Sequence, residues 1–282
     1  MRRADATRLV ALAALWGASF LFMRIAAPVL GPFIVADARI LLAAAALGLY
    51  FRWMRFDTGW RRWWRVYTLV GVINTGLPFL LYAYAALHIP AGLSAVANAT
   101  APMWGTLLAA TVLRERLSNA RLAGLALGIL GVALVTRPQP GAAYPLLAVA
   151  AALGGAFCYA VAGIYLKRRA HEAPGRGMAF GTQLAAGILL VPFAAASQPL
   201  APVTPLALSA TIAMALLSGA VAYVLYFRLI ADIGPIRALT VTYLIPVFGV
   251  LFGAVFLGEA LGPSTLAGGL LVVLGTALVL RK

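Results

Sequence analysis

The chain has 282 residues, of which 63% are hydrophobic and 10% are charged, and its formal net charge is +15. So large an apolar fraction cannot be buried in a water-soluble core of this length, which excludes a soluble globular protein and predicts an integral membrane protein. The single cysteine, Cys158, excludes a disulfide framework and a cysteine metal site.

Ten apolar runs take up almost the whole chain and leave no room for a soluble domain. Each run has about 18 to 23 residues, enough to cross about 30 Å of hydrocarbon as a helix. The sequence defines both ends of nine of these runs, and the fourth run starts near Pro90. Together they predict an all-α membrane protein with ten transmembrane helices. The nine are 7–27, 33–51, 65–86, 119–136, 145–166, 178–196, 206–229, 235–257 and 263–280.

The positive charge is concentrated on one side of the predicted membrane. Nineteen of the 22 basic residues fall in the termini and loops of that side, leaving Arg24, Arg39 and Arg137. The positive-inside rule makes this side cytoplasmic, with both termini inside and Arg137 and Glu259 outside. The expected location is the cytoplasmic membrane of a bacterium.

Tryptophans are interleaved with the basic residues between the second and third helices, at positions 53, 60, 63 and 64. This pattern is typical of an interfacial aromatic belt. We therefore expect the basic surface to meet anionic lipid and not nucleic acid. The expected partners are the bilayer and a small organic solute, and a monomer is compatible with the sequence.

The sequence is duplicated at a constant spacing of 144 residues. A helical hairpin with an acidic turn and a glycine-spaced second helix occurs twice, and Glu115, Gly124 and Gly131 recur as Glu259, Gly268 and Gly275. We predict a first repeat at 1–137, an external turn at 138–144 and a second repeat at 145–282. Because five helices is an odd number, the second repeat must enter the membrane from the opposite side, which predicts inverted repeats and alternating access.

The second hairpin also carries a family resemblance. Its motif Leu257-Gly258-Glu259-Ala260-Leu261, followed by Gly268 and Gly275, and the motif Trp16-Gly17-Ala18-Ser19-Phe20 resemble EamA-type carriers of the drug/metabolite transporter superfamily. The first hairpin departs from the pattern by having Arg114 where the second has Gly258. The resemblance implies ten helices in two five-helix halves, and export or exchange of a small organic solute such as a metabolite, an amino acid or a drug-like compound.

Polar and aromatic residues inside the predicted helices are the candidates for the solute site. Each intramembrane polar group is costly to insert and faces the bundle interior. Their structural alternative is interhelical hydrogen bonding worth about 1 kcal/mol each. For Arg39, Asn74 and Asn98 both interpretations remain open. Aromatic rings with a few amides suit an amphiphilic organic solute. The predicted substrate-binding residues are Trp16, Arg39, Asn74, Tyr82, Asn98, Gln183, Tyr223 and Tyr243.

The repeat and the positions of the tyrosines bear on three of these predictions. Gln183 follows Arg39 by 144 positions, so both repeats place a hydrogen-bond donor there. Tyr82 also suits an aromatic belt near a helix end, whereas Tyr243 suits one poorly.

The acidic residues suggest two roles. Asp37 alone lies within a predicted helix and is the candidate for proton coupling, with Arg24 as its expected partner, although facilitated exchange fits equally well. Glu115 and Glu259 are expected to hold the hairpins by capping and hydrogen bonding at helix ends.

Two other classes of protein were weighed against a transporter. His88 and His171 lie in turns on opposite sides, and the GxxxxGK[ST] phosphate-binding motif does not occur, so we expect no metal, no cofactor, no use of ATP and no enzyme activity. A structural membrane protein remains the main alternative, and solute flux distinguishes it from a transporter.

Overall fold

The computed structural model describes residues 3–136, 144–169 and 173–280. Within these residues all regular secondary structure is helical and forms ten helices, of which the fourth and ninth consist of two pieces. They are α1 (Arg3–Leu30), α2 (Pro32–Trp53), α3 (Trp60–His88), α4 (Ala91–Asn98 and Ala101–Val112), α5 (Asn119–Val135), α6 (Leu146–Arg169), α7 (Gly175–Ala195), α8 (Pro205–Ile233), α9 (Pro235–Ala238 and Val241–Leu257) and α10 (Pro263–Leu280).

The prediction of an all-helical membrane protein is confirmed. Seven of these helices, α1, α2, α3, α6, α7, α8 and α10, are long and apolar enough to cross a bilayer. Helix α5 and the long piece of α9 are shorter apolar helices. The topological markers Arg2, Arg137 and Lys282, and all of the predicted turn 138–144 except Tyr144, lie outside the described residues.

Helices α4 and α9, each predicted as a single helix, consist of two pieces. Helix α4 is interrupted at Ala99 and Thr100, just before Pro102. A proline has no N–H to donate, so it fits the first turn of a new helical piece better than a helix interior. A residue far along the chain stabilises the interruption: the Thr276 hydroxyl of α10 donates a buried hydrogen bond of 2.8 Å to the Ala99 carbonyl.

Helices α3 and α8 each contain a π-helical segment that the sequence analysis did not predict. The segments are Val72–Gly76 in α3 and Met214–Val221 in α8. Positions 72–76, advanced by 144 residues, become 216–220 and fall inside the second segment. The two halves of the chain therefore share an irregularity of the kind that occurs often at functional sites.

Helices α5 and α10 pack through glycines that the repeat relates. A Cβ atom at Gly124 would lie 2.6 Å from the Gly275 carbonyl oxygen, and one at Gly131 would lie 2.7 Å from that of Gly268. The residues meet in opposite order along the two helices, so the helices are antiparallel. Glycine is required here because any side chain would separate the two backbones.

The other helices also pack against helices of the opposite half. Helices α2 and α7 are antiparallel, with Gly48 against Phe180 and Gly187 against Leu41. Helix α1 packs on α8 and α9, and α6, its counterpart in the second half, packs on α3 and α4. The core of the molecule therefore lies between the two halves of the chain.

Candidate functional site

Arg39 occupies the middle of the bundle. It lies seven residues after Pro32, at the start of α2, which places it about 10 Å along the helix. Only 5% of Arg39 is exposed, and its Nε has no hydrogen-bond partner among the described residues. Its guanidinium carbon lies 3.7 Å from the centroid of the Phe79 ring on α3, a cation–π contact.

Tyrosines from the second half of the chain complete the surroundings of Arg39. The guanidinium interacts electrostatically with Tyr159 of α6 and Tyr223 of α8. Tyr223 follows Phe79 by 144 positions. Arg39 therefore contacts the first half through Phe79 and interacts electrostatically with the second half, in part through residues that the repeat relates.

A second group joins this site through Tyr159. The Tyr82 ring of α3 stacks on Tyr159 with centroids 6.3 Å apart, and its hydroxyl donates a hydrogen bond of 3.2 Å to Asn98 Oδ1. Phe20 of α1 packs edge-on against the same ring at 5.5 Å. Tyr82 is only 2% exposed, so the aromatic-belt interpretation is wrong for this residue.

Trp16 adds an aromatic wall from α1. Its ring centroid lies 6.2 Å from that of Tyr223 and 5.3 Å from that of Tyr226. The structure thus connects several predicted site residues into one group, which we call the Arg39 cluster. Its members are Trp16, Arg39, Phe79, Tyr82, Asn98, Tyr159 and Tyr223.

Gln183, in contrast, joins two helices. It is 1% exposed, and its Nε2 donates hydrogen bonds of 3.1 Å to the carbonyls of Ala179 and Gly219. Gly219 lies in the π-helical segment of α8, whose backbone Gln183 thereby ties to α7. Its Oε1 has no hydrogen-bond partner within the part of the chain that the structure describes.

The structure does not bring Asn74 or Tyr243 into the Arg39 cluster. Asn74 lies half-buried in the π-helical segment of α3 and makes no side-chain hydrogen bond within the described ranges. Tyr243 is half-buried near the interruption of α9, and its backbone N–H donates a hydrogen bond to the Thr240 carbonyl.

Phe79 and Tyr159 are cluster residues that sequence reasoning missed. Phenylalanine and tyrosine are common in membrane helices, so neither stood out from the surrounding apolar sequence. The repeat offered a signal for Phe79, because Tyr223 was predicted and lies 144 positions after it. The corresponding position for Tyr159 is Leu15, which gives no such signal.

The expected pairing of Asp37 with Arg24 is wrong. Arg24 Nη1 donates a hydrogen bond of 2.5 Å to the Ala86 carbonyl, in the last turn of α3. Carbonyls in a last turn have no partner within their own helix, and this one takes the guanidinium. Asp37 is 8% exposed, and its Oδ1 has no hydrogen-bond partner in the residues described.

Glu259 behaves as predicted, as a cap at a helix end. Its Oε1 accepts a hydrogen bond of 2.7 Å from the Ala91 N–H, and its Oε2 accepts one of 3.1 Å from the Gly92 N–H. These are the first N–H groups of α4 and have no partner within the helix. The glutamate that follows α9 thus holds a helix of the other half.

Glu115 makes a hydrogen bond, but not a cap. Its Oε1 accepts from Lys167 Nζ at 2.6 Å, and Arg121 lies 3.8 Å from its Oε2. The hydrogen bond and the charge of Lys167 hold the pKa of Glu115 below its ordinary value, and Arg121 acts in the same direction. The expected capping is therefore wrong for this copy.

Glu115 belongs to the end of the bundle at which α1 begins and α2, α4, α6 and α8 end, which we call the basic end. The other end, where α4 and α10 begin, is the far end. At the basic end, Arg8 of α1 also pairs with Asp232 of α8 at 2.6 Å. At the basic end the two halves are thus linked by ion pairs and by a hydrogen bond of 2.6 Å from Arg168 Nη2 to the Val112 carbonyl, whereas at the far end they are linked by the Glu259 cap. Among the described residues, no three His, Cys, Asp or Glu side chains are grouped to hold a metal ion.

The chain matches one protein family twice, once in each half of the duplication. Residues 7–137 match the model of the EamA-like transporter family, and residues 146–281 match it a second time. The chain belongs to the EamA-like transporter family. This confirms the resemblance carried by the two hairpins.

Two relatives of this EamA-like protein are named as exporters or efflux pumps. A probable terminal-alkyne amino-acid exporter of Streptantibioticus cattleyicolor is 28% identical over 76% of this chain and 72% of its own. A probable amino-acid metabolite efflux pump of Salmonella typhimurium is 24% identical over 98% of this chain and 94% of its own. The family and these names point to membrane transport and not to an enzyme.

A solved structure shares the fold of this EamA-like chain. It superposes with a TM-score of 0.69 at 18% sequence identity, covering 99% of this chain and 96% of its own. This likeness concerns the arrangement of the helices alone.

Proposed function

We propose that this EamA-like transporter exports a small organic solute with a carboxylate group, of amino-acid or related type, by alternating access. The observation that carries the proposal is Arg39, a buried guanidinium whose Nε lacks a hydrogen-bond partner in the described residues. An unpaired arginine at this depth costs on the order of 3 kcal/mol to insert. A bound carboxylate would offset that cost.

The chemistry of the Arg39 cluster favours a carboxylate over a neutral solute. A guanidinium presents a planar set of donors that matches the two oxygens of a carboxylate. The rings of Trp16, Tyr159 and Tyr223 supply an apolar surface beside it for the rest of the solute. The relatives named for amino-acid export support this class of solute.

Two inverted five-helix halves, 1–137 and 145–282, provide the proposed movement. Two features support the inversion: the antiparallel contact of α5 with α10 and the antiparallel contact of α2 with α7. The π-helical segments of α3 and α8 support the repeat itself. In parallel repeats, helices that the repeat relates would run in the same direction. Inverted halves can exchange their shapes around a site between them, so that the site opens first to one side and then to the other.

We further propose that the basic end is cytoplasmic, because positively charged loops are retained on that side. Reporter fusions after Arg137 and after Lys282 test this placement. The expected result is an external reporter after Arg137 and a cytoplasmic one after Lys282. A cytoplasmic reporter after Arg137 would contradict both the placement and the inversion.

The direct test is transport by the purified protein in sealed vesicles. Vesicles preloaded with an unlabelled amino acid take up the labelled compound by exchange, and a panel of amino acids, the matching amines and the matching amides is added as competitors. We expect the compounds with a carboxylate to compete and the amines and amides to fail. If amines compete as well as acids, the carboxylate assignment is wrong, and if no solute is exchanged, the structural interpretation is favoured.

The role of Arg39 is tested with two variants. Arg39→Lys and Arg39→Gln are expected to fold and to impair exchange, since neither side chain reproduces the planar set of donors. Tyr243→Phe serves as the control, because the structure leaves Tyr243 outside the Arg39 cluster. Unchanged exchange in a folded Arg39→Gln protein would rule out this residue as the carboxylate ligand.

A further inference from the structure

We propose that Glu259 is a latch that closes the far end of the transporter by capping α4, and that the far end therefore stays closed when the transporter is empty. This inference rests on the proposed function only for the placement of the far end outside the cell. Glu259 lies after α9 in the second half, and the N–H groups that it accepts from, those of Ala91 and Gly92, belong to the first half. To open the far end, α4 must move away from α9, and the two bonds must break.

The latch is a stronger contact than an ordinary ion pair at the protein surface. A carboxylate at the start of a helix accepts from N–H groups that have no other partner, and it also interacts favourably with the helix dipole. Both bonds have a charged acceptor and are partly buried. The latch borders a shallow surface cleft lined by Gly92, Tyr144, Val250 and Thr265 among others.

The first piece of α4 connects the latch to the Arg39 cluster. This piece has eight residues, begins at Ala91 under Glu259 and ends at Asn98, which accepts the hydrogen bond from Tyr82. It is separated from the rest of α4 by the interruption at Ala99 and Thr100. A solute that displaces Asn98 therefore acts on the piece whose other end the latch holds.

Within the described residues, the positions at the basic end that the repeat relates to Glu259 and Ala91 do not form this latch. The position that corresponds to Ala91 is Pro235, the first residue of α9, which has no N–H to donate. Glu115, which corresponds to Glu259, instead pairs with Lys167, whose side chain is 62% exposed. Arg8 also pairs with Asp232, and Arg168 Nη2 donates a hydrogen bond of 2.6 Å to the Val112 carbonyl; these contacts between the halves are exposed as well. Exposed ion pairs contribute little to stability, so the basic end is the easier one to open. The empty transporter is therefore expected to open toward the cytoplasm, where an exporter takes up its solute.

The test measures access from outside to Val250, which Gly92 covers. A Cβ at Gly92 would lie 3.1 Å from Val250 Cγ2, so α4 covers part of the half-buried Val250, and movement of α4 away from α9 exposes more of it to the far end. A Cys158→Ser background removes the single native thiol, and Val250→Cys introduces one of similar size. The rate of labelling by a membrane-impermeant maleimide is then followed in intact cells without added solute.

Two variants weaken the latch from its two sides. Glu259→Ala removes the carboxylate, and Ala91→Pro removes one N–H at a first helical position, where proline is tolerated. We expect external labelling to rise by at least about tenfold in Glu259→Ala, as for loss of charge-assisted hydrogen bonds, and by less in Ala91→Pro. Glu115→Ala, the same change at the repeat-related position, should leave the rate unchanged.

Equal labelling in all four proteins, each shown to be folded by its thermal unfolding, would overturn the latch. A rise in Glu115→Ala as large as that in Glu259→Ala would overturn it as well. The measurement requires no transported solute, so it does not depend on the carboxylate assignment. Labelling of the Glu259→Ala protein only from the cytoplasmic side would contradict the placement of the far end.

Discussion

The guanidinium of Arg39 and the ring of Phe79 are in direct contact, with the Arg39 carbon 3.7 Å from the ring centroid. The contact joins α2 to α3 inside the first half of the chain, whereas Tyr159 and Tyr223 of the second half interact electrostatically with the same guanidinium. Movement of one half against the other must therefore change the surroundings of this charge.

Phe79→Leu is expected to destabilise the folded transporter by about 0.5–2 kcal/mol, the range of a cation–π contact. It is also expected to raise the solute concentration that half-saturates exchange, because the guanidinium is no longer held in place. Phe79→Tyr keeps the ring and is the control. Unfolding in detergent and exchange in vesicles measure the two effects, and equal stability of the leucine and tyrosine variants would contradict the role of the ring.

Gly124→Ala and Gly268→Ala are expected to destabilise the protein by about 1–3 kcal/mol, as overpacking does. In each case the added methyl group meets the backbone of the partner helix, with a carbonyl oxygen 2.6 Å away. Gly105→Ala is the matched control, because no atom lies within 4 Å of its added methyl group. Thermal unfolding compares the three variants, and we expect the solute preference of any folded fraction to be unchanged.

Asp37→Asn is expected to leave the protein folded and at least as stable as the original. Asp37 has a buried oxygen without a hydrogen-bond partner in the described residues, and a neutral side chain of the same shape avoids burying a charge there. If Asp37 couples transport to protons, the variant also loses the dependence of uptake on an imposed pH gradient. Persistence of that dependence in the asparagine variant would exclude Asp37 as the coupling group.

Glu115→Gln is expected to lower the unfolding temperature near neutral pH and to have little effect in acid. The pKa of Glu115 is held below its ordinary value of 4.5, so its ion pair with Lys167 stabilises the folded state above that value. The contribution is lost as the pH falls through the lowered pKa. Unfolding temperatures of the two proteins, measured from neutral pH downward, should therefore converge, and a constant difference would contradict the linkage.

The helices could be predicted because each must satisfy its backbone hydrogen bonds within the bilayer and present an apolar surface to lipid. Their irregularities could not. The interruption of α4 at Ala99 is held by Thr276 from a helix 177 positions further along the chain. The start of α3 at Trp60, earlier than expected, follows Gly59, whose N–H donates to Asp57. Such features depend on contacts that hydropathy does not record.

The candidate site was predictable in part, for a similar reason. Arg39 and Asn98 stand out because polar groups are costly within a membrane, whereas Phe79 and Tyr159 belong to the common background of membrane helices. The partner of a charge was harder still to predict. Depth along the helices suggested Arg24 for Asp37, but the end of α3 offered Arg24 a nearer acceptor in the Ala86 carbonyl.

The contact of α5 with α10 has a consequence for how the protein holds together. Gly124 meets Gly275 and Gly131 meets Gly268, so the same surface is used twice and is complementary to itself. That is the defining property of an isologous interface in a two-fold dimer. The transporter can thus be regarded as a dimer whose two subunits share one chain, and, as in an obligate dimer, neither subunit has a stability that can be separated from that of the other.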